Sequence, residues 1–233
     1  MPDSYYLKAR LMPAALTSIS VAYVVSDFIQ PALSSALATS ITYLPTTLTA
    51  VLITGIVFLL VQINRVVSKE VVQRFYFRDE ERMPSTEYML WSNTHYEEGV
   101  KAELHDRIHT SFGMRPLSKH EEAKDSTRAR KVITMCVSQI RNGLRDNRQL
   151  LQHNIEYGFM RNLLGGCFCA ALVALGAFIY CKWIGEVSLQ FRYLVLVVLY
   201  ILPLFLSRFI IKRYGHYYAK VLFEQFLSRK AHP

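Results

Sequence analysis

The sequence predicts an all-α polytopic membrane protein: four transmembrane helices, a helical cytoplasmic insert, and assembly into a symmetric homo-oligomer. Three observations predict the fold. Of 233 residues, 52% are hydrophobic, and they gather into four blocks near the two ends of the chain. Each block approaches the roughly 20 apolar residues that a helix needs to cross a bilayer. The charged residues collect between the blocks, where apolar positions recur at helical spacing and no alternating strand pattern occurs.

The first block covers residues 11–29 and is the most polar of the four, with Thr17, Ser18, Ser20, Ser26 and Asp27. Asp27 lies near its far end, where it is either an interfacial acid or a group at a pore mouth. Residues 31–43 carry no charge and form the expected outer loop. Pro45 opens the second block, 45–63, whose Thr46, Thr47, Thr49 and Thr54 make a hydroxylated face, with Gln62 and Asn64 at its inner end. Such a face serves helix packing or lines a wet path. On the second alternative, Thr47, Thr54, Gln62, Asn64 and Asp27 are the candidate pore residues. Residues 1–64 thus form an N-terminal transmembrane hairpin.

Residues 65–162 form the expected helical domain. The second helix is extended beyond the membrane until Met83-Pro84 breaks it. Ser85 or Thr86 caps a short helix reaching Trp91. Thr94 to Glu97 and Ser118 to Glu121 both have capping-box spacing, which predicts a helix to Phe112 and a shorter one after residue 117. Residues 126–162 contain no proline and predict one long helix running straight into the third span. Ile133, Val137, Ile140, Leu144, Leu151 and Ile155 form its apolar seam. Residues 163–211 form a second hairpin, with spans at 163–181 and 193–211, a turn at 182–192 and a kink at Pro203. Residues 212–233 are a basic tail.

The formal charge of +9 is distributed as the positive-inside rule requires. The N-terminus, the insert and the tail hold nearly all the cations, so both termini and the insert face the cytoplasm. A basic balance also suits a phosphate-rich partner. Cys136, Cys167, Cys169 and Cys181 lack metal-site or C-x-x-C spacing and are expected to be reduced apolar side chains.

Signals of catalysis are thin, and no enzyme activity, cofactor or metal site is expected. No P-loop, dinucleotide fingerprint, H-E-x-x-H or nucleophile elbow occurs. His95, His105 and His109 are predicted on one solvated helix face without a third metal ligand. Arg148 to His153 and Arg115 to His120 are R-x4-H strings resembling the active-site motif of HEPN-type ribonucleases. In the second string Pro116 interrupts the helix; in the first, the polar residue usual directly after the arginine is Gln149.

A cationic stripe is more informative. Thr134, Ser138, Arg141, Arg145, Arg148 and Gln152 share the helical period on a face turned from the seam. Arg141, Arg145 and Arg148 have no acid three or four residues away, and Arg128, Arg130 and Lys131 add charge at the helix start. Guanidinium forks suit phosphate. A ring of such helices about an oligomer axis focuses their field on a polyanion. The candidate ligand-binding residues are therefore Arg141, Arg145, Arg148, Arg128, Lys131 and Gln152. The plainer alternative is a solvated face, or pairing with Glu80, Glu81 or Glu98.

The opening YYLKARLMPA and the string LLQHNIEYGFMRNL, set in this architecture, resemble the membrane effectors of bacterial anti-phage systems, and most nearly the Hailong channel effectors. That resemblance implies a homotetrameric ion channel in the bacterial inner membrane, with a nucleotidyltransferase as operon partner. Its ligand would be a nucleotide second messenger or a single-stranded oligodeoxynucleotide, and its action abortive infection by depolarisation. The alternatives are a membrane-tethered HEPN-like ribonuclease and a membrane scaffold that recruits a soluble defence partner.

Overall fold

The computed structural model describes residues 2–29, 31–32, 46–78 and 80–228. The expected outer loop beyond residue 32, Pro45, Arg229, Lys230 and the side chain of Thr47 lie outside the described residues. Every described element is helical. We number the helices α1 (Ser4–Ile29), α2 (Thr46–Val67), α3 (Pro84–Glu87), α4 (Glu98–Phe112), α5 (Lys119–Lys124), α6 (Ser126–Gly143), α7 (Arg148–Ile184), α8 (Val187–Phe205) and α9 (Ser207–Ser228). The chain divides into two compact units, residues 1–72 with 158–207 and residues 73–157 with 208–233.

In the first unit, α1, α7 and α8 are each long and apolar enough to cross a bilayer, with 26, 37 and 19 residues. We therefore read the chain as a membrane protein. Two of these helices exceed the apolar blocks that predict them. The first begins well before residue 11, and α7 runs through residue 163 without a break. The expected turn at 182–192 shrinks to Gly185 and Glu186, where Gly185 adopts φ +80°, open to glycine at little cost. Consequently the last apolar helix is 187–205 rather than 193–211. It ends at Leu206, three residues past Pro203, whose missing N–H removes a bond from the final turns. α7 packs Ala170, Ala174, Ala177 and Cys181 against Tyr193, Leu196, Val197 and Tyr200 of α8, small residues receiving large ones.

Several polar groups inside this unit find partners within it, as a low-dielectric surrounding favours. Asn64 Nδ2 donates to Thr17 Oγ1 at 2.8 Å, and Thr17 Oγ1 donates to the Pro13 carbonyl at 2.8 Å. Ser68 Oγ donates to Asn162 Oδ1 at 2.7 Å, while Asn162 Nδ2 donates to the Ala9 carbonyl at 2.6 Å. Two glycines let the helices approach closely enough for this seam. A Cβ on Gly165 would lie 2.7 Å from the Ser68 backbone, and one on Gly166 would lie 2.5 Å from Thr17 Oγ1.

A π-helical stretch, Ser68–Gln73, carries α2 from the first unit to the start of the second, where a last turn, Arg74–Phe77, follows. The helix stops at Arg78 in the left-handed region, before the expected break at Met83-Pro84. Met83, not Ser85 or Thr86, occupies the N-cap of α3, which ends at Glu87 instead of reaching Trp91. The core joins Met89, Leu90, Leu104 and Ile108 to Ile133, Val137 and Ile140 of α6. Leu222, Phe223 and Phe226 of α9 complete it, so the basic tail is also an amphipathic core helix.

The Ser118 to Glu121 capping box forms as expected, with both reciprocal bonds. The one at Thr94 to Glu97 does not: α4 starts at Glu98, and Glu97 makes no side-chain cap. The preceding segment is held instead by buried polar groups. Glu122 accepts the Trp91 and Ser92 N–H groups at 2.9 and 2.8 Å, and Lys101 Nζ donates to the Trp91 and Asn93 carbonyls. The predicted histidine face is divided by the same packing. His95 lies outside α4, and His105 is buried with Nε2 3.0 Å from the Met89 carbonyl oxygen.

Candidate functional site

The expected single helix over 126–162 is two helices. α6 ends at Gly143, and α7 restarts at Arg148. Asn147 caps the restart by accepting the Leu150 N–H at 2.9 Å, and its Nδ2 donates to Gln225 Oε1 of α9 at 2.6 Å. Periodicity alone hides this break because the apolar spacing continues across it. Gly143 followed by Asp146-Asn147 is the stop-and-start signal that marks it. The interruption also changes the register, burying Leu150 where the unbroken helix would bury Leu151.

The break divides the cationic stripe. Arg141 remains on α6, where its Nη2 donates to Glu80 Oε2 at 2.5 Å, with both side chains about 30% exposed. Burial pulls against its charge, but the Glu80 carboxylate outweighs this and holds the guanidinium above its ordinary pKa. The pairing alternative thus holds for Arg141. Arg130 is similarly engaged, with Glu87 and the Glu81 carbonyl.

Arg145 is exposed in the turn, and Arg148 is exposed on the first turn of α7; neither guanidinium has a carboxylate partner among the described residues. Arg128 and Lys131 are exposed near the start of α6. Gln152 is exposed but donates to Glu156 Oε1 at 2.8 Å. Six expected ligand residues therefore do not make one compact pocket in a protomer. At 1.5 Å per residue, α6 runs about 22 Å from Arg128 to its end at Gly143, and Arg145 follows in the turn beyond. The exposed cations thus lie at the start of α6 and past its end, with Arg141 neutralised between them.

Of the expected pore residues, Asn64 and Asp27 are engaged within the first unit. Asn64 belongs to the buried seam, and Asp27 accepts Arg192 Nη1 with both oxygens at 2.9 Å and Tyr193 OH at 2.9 Å. The Arg192 guanidinium also lies over the Tyr23 ring, 5.1 Å from its centroid. Asp27 is thereby an interhelical clamp. Thr54 is exposed and Gln62 half-buried.

Arg148 and His153 lie on one helix, and His153 Nδ1 is 3.5 Å from Glu156 Oε2. Arg115 precedes α5 whereas His120 lies within it, so the second R-x4-H string shares no helix. Cysteine chemistry is muted: burial pushes the Cys136 thiol up to about 11. Among the described residues no cluster of three or more histidine, cysteine or acidic side chains is placed to hold a metal.

One feature lay beyond sequence reasoning. Tyr88, His95, Tyr96 and His216 form an aromatic cluster, with Tyr88 stacked on His95 at 3.9 Å and its hydroxyl 2.7 Å from His216 Nδ1. No local pattern joins residues 88 and 216, because the pairing depends on where α9 packs. Comparison of the chain with protein-family models, curated proteins and solved structures finds no match.

Proposed function

We propose that the protein is an oligomeric membrane channel of anti-phage defence, gated by a single-stranded oligonucleotide bound at exposed arginines. α2 serves as the fourth span beside α1, α7 and α8, with the charged unit and both termini cytoplasmic. The observation that carries the reading is the pair Arg145 and Arg148, exposed without a carboxylate at the head of a helix continuous to Ile184. Charge neutralised at Arg148 acts on the same helix that crosses the bilayer. Helices α6 and α7 are separate elements, so on this reading the coupling runs through Arg148 and Gln152 and not along one rod from Arg128.

The spacing of the cations favours an oligomeric ligand over a mononucleotide. At the roughly 3.4 Å per nucleotide of a base-stacked strand, about seven nucleotides span α6 from Arg128 towards the turn that holds Arg145. The bonds that occupy the polar seam within the protomer support a conducting path between protomers rather than through one, in a homotetramer by the stated resemblance. A ligand shifts the gate only by binding one state better than the other, and arginines that converge in one state supply that difference. The nucleotidyltransferase operon partner of the resembling systems would supply the oligonucleotide.

The test reconstitutes the full chain in liposomes and measures ion flux alongside binding of a labelled ten-residue oligodeoxyadenylate. Arg145→Glu with Arg148→Glu should weaken binding at least tenfold and change flux. The plot of log affinity against log salt should become shallower by about 0.7 for each phosphate that the variant no longer neutralises. A protein that neither conducts nor binds the oligonucleotide refutes the proposal. RNA decay abolished by His153→Ala in the same preparation would replace it with the tethered-ribonuclease reading, for which the Arg148 and His153 placement is the supporting feature.

A further inference from the structure

Arg141 lies in a groove of about 380 Å³ lined by Glu80, Thr134, Met135, Ser138 and Asn142. Lys131, Thr134, Ser138 and Arg141 fall within about 80° on α6 at 100° per residue, so one further cation lies along the same face. Glu80 is the single carboxylate in the lining, and it engages the guanidinium through one oxygen. A guanidinium fork can receive two oxygens of a phosphoryl group, so this pairing uses half of what Arg141 offers. The Ser138 and Asn142 side chains have no hydrogen-bond partner among the described residues.

Glu80 itself is held under strain. Its φ is +76°, and Arg78, two residues earlier, has φ +43°. Left-handed backbone costs a non-glycine residue of this kind about 1 kcal/mol or more. The Glu80 carbonyl accepts the Thr86 hydroxyl at 2.9 Å, which pins this geometry and directs the side chain to Arg141.

We propose that the groove is a phosphate-binding site occupied in this state by Glu80, and that a phosphoryl ligand displaces the carboxylate from Arg141. Glu80 follows closely on the last turn, Arg74–Phe77, that continues α2. Exchange at Arg141 therefore changes what tethers that end. The inference rests on the anionic-ligand reading above for the ligand's identity, but it adds an internal competitor to it.

The experiment measures pyrophosphate binding by calorimetry to the full chain in neutral phosphatidylcholine nanodiscs. Glu80→Asn removes the carboxylate while keeping a residue that tolerates left-handed backbone. It should bind pyrophosphate about 2- to 5-fold tighter than the parent, the worth of a partly exposed ion pair. Adding Arg141→Gln should erase the gain. An unchanged affinity in Glu80→Asn, or a gain that survives Arg141→Gln, overturns the proposal.

If Glu80→Asn folds poorly, Glu80→Gln is used, and pyrophosphate should raise its melting temperature more than it raises the parent's. Equal rises overturn the proposal. A parallel arm replaces pyrophosphate with phosphatidate doped into the nanodiscs. The pyrophosphate arm decides the site; an Arg141-dependent response to phosphatidate as well adds a headgroup phosphate to its ligands, and silence in both arms overturns the proposal. Oligonucleotide gating that is insensitive to Glu80 sinks this inference alone. A Glu80-dependent pyrophosphate gain in a chain that conducts no ions sinks the channel reading alone.

Discussion

Gly165→Ala gives the sharpest test of how the membrane unit is held together. The new Cβ would sit 2.7 Å from the Cα, Cβ and N of Ser68, so it meets backbone that no rotamer change can move aside. Carbon atoms rest at about 3.5 to 4.0 Å, which requires the two helices to separate by about 1 Å. That displacement would stretch the 2.7 Å bond from Ser68 Oγ to Asn162 Oδ1 beyond hydrogen-bond range. Overpacking of this kind costs about 1 to 3 kcal/mol. The broken interhelical bond adds about 0.6 kcal/mol by membrane-protein averages. Against this stands a gain of about 0.8 to 1 kcal/mol in helix propensity on replacing glycine with alanine. The net expectation is about 0.6 to 2.8 kcal/mol of destabilisation. Gly176→Ala is the internal control, because nothing lies within 4 Å of a Cβ there on the same helix. It should stabilise by the propensity term alone. Thermal unfolding of both variants and the parent in one detergent measures the contrast. If Gly165→Ala melts with Gly176→Ala or above the parent, the close approach of α7 to Ser68 is wrong.

Two further outcomes follow from groups that pair across helices. Asp27→Asn leaves Arg192 without its carboxylate and should destabilise the first unit by about 1.5 to 3 kcal/mol, with Asp27→Asn/Arg192→Gln costing less than the sum of the single changes in a double-mutant cycle; additivity would show that the clamp is not a coupled pair. In the second unit, burial lowers the pKa of His105 below 6.5, and burial followed by the charges of His95, Arg213 and Lys220 lowers that of His216. Both are favoured neutral when folded, so their stabilisation is complete above about 6.5 and is lost as pH falls from there through the folded-state values. Melting temperature should drop between pH 7.5 and 5.5, and His216→Gln should flatten that drop; an unchanged pH slope in the variant would contradict the assignment.

The helical class and the apolar blocks were legible because a bilayer leaves a chain few alternatives: backbone polar groups must be satisfied within the span, so composition nearly dictates helix. Ile133, Val137 and Ile140 announced the buried face of α6 for the equivalent reason in water. Boundaries were another matter. The turn at Gly185 and the stop at Leu206 moved the last apolar helix by six residues, because hydropathy marks where a span can lie but not where its backbone turns. The stripe of arginines misled by its regularity. Its period persists through Gly143 to Asn147, yet Asn147 finds both the Leu150 N–H and Gln225, a partner 78 residues away, and that long-range bond favours the restart. Glu80 was legible only as one of three acids able to neutralise the stripe. Selecting it required the left-handed turn that ends the helix at Phe77.

The division of the stripe makes its exposed part more informative than a continuous line would be. At the end of α6, Arg141 sits where a cation is favoured by the helix dipole, and it has a carboxylate as well. Arg148 has the opposite placement. It opens α7, where the unsatisfied N–H groups already carry partial positive charge, and a cation there costs about 0.3 to 1 kcal/mol at low ionic strength. Asp146 in the preceding turn offsets part of this, and Arg145 on its other side restores it. The next acid on α7 is Glu156, two turns on and already receiving Gln152. A fold seeking stability alone would place Asp or Glu at this helix start. Retaining two exposed guanidinium groups there lowers the stability of the free protein and raises that of any state in which an anion covers them. This asymmetry is what allows an anion to shift a conformational equilibrium. It predicts that Arg148→Glu, which gives the helix the charge its dipole prefers, should stabilise the unliganded chain slightly while weakening the proposed response to oligonucleotide. A variant that loses stability and response together would show that Arg148 serves the fold and not a ligand.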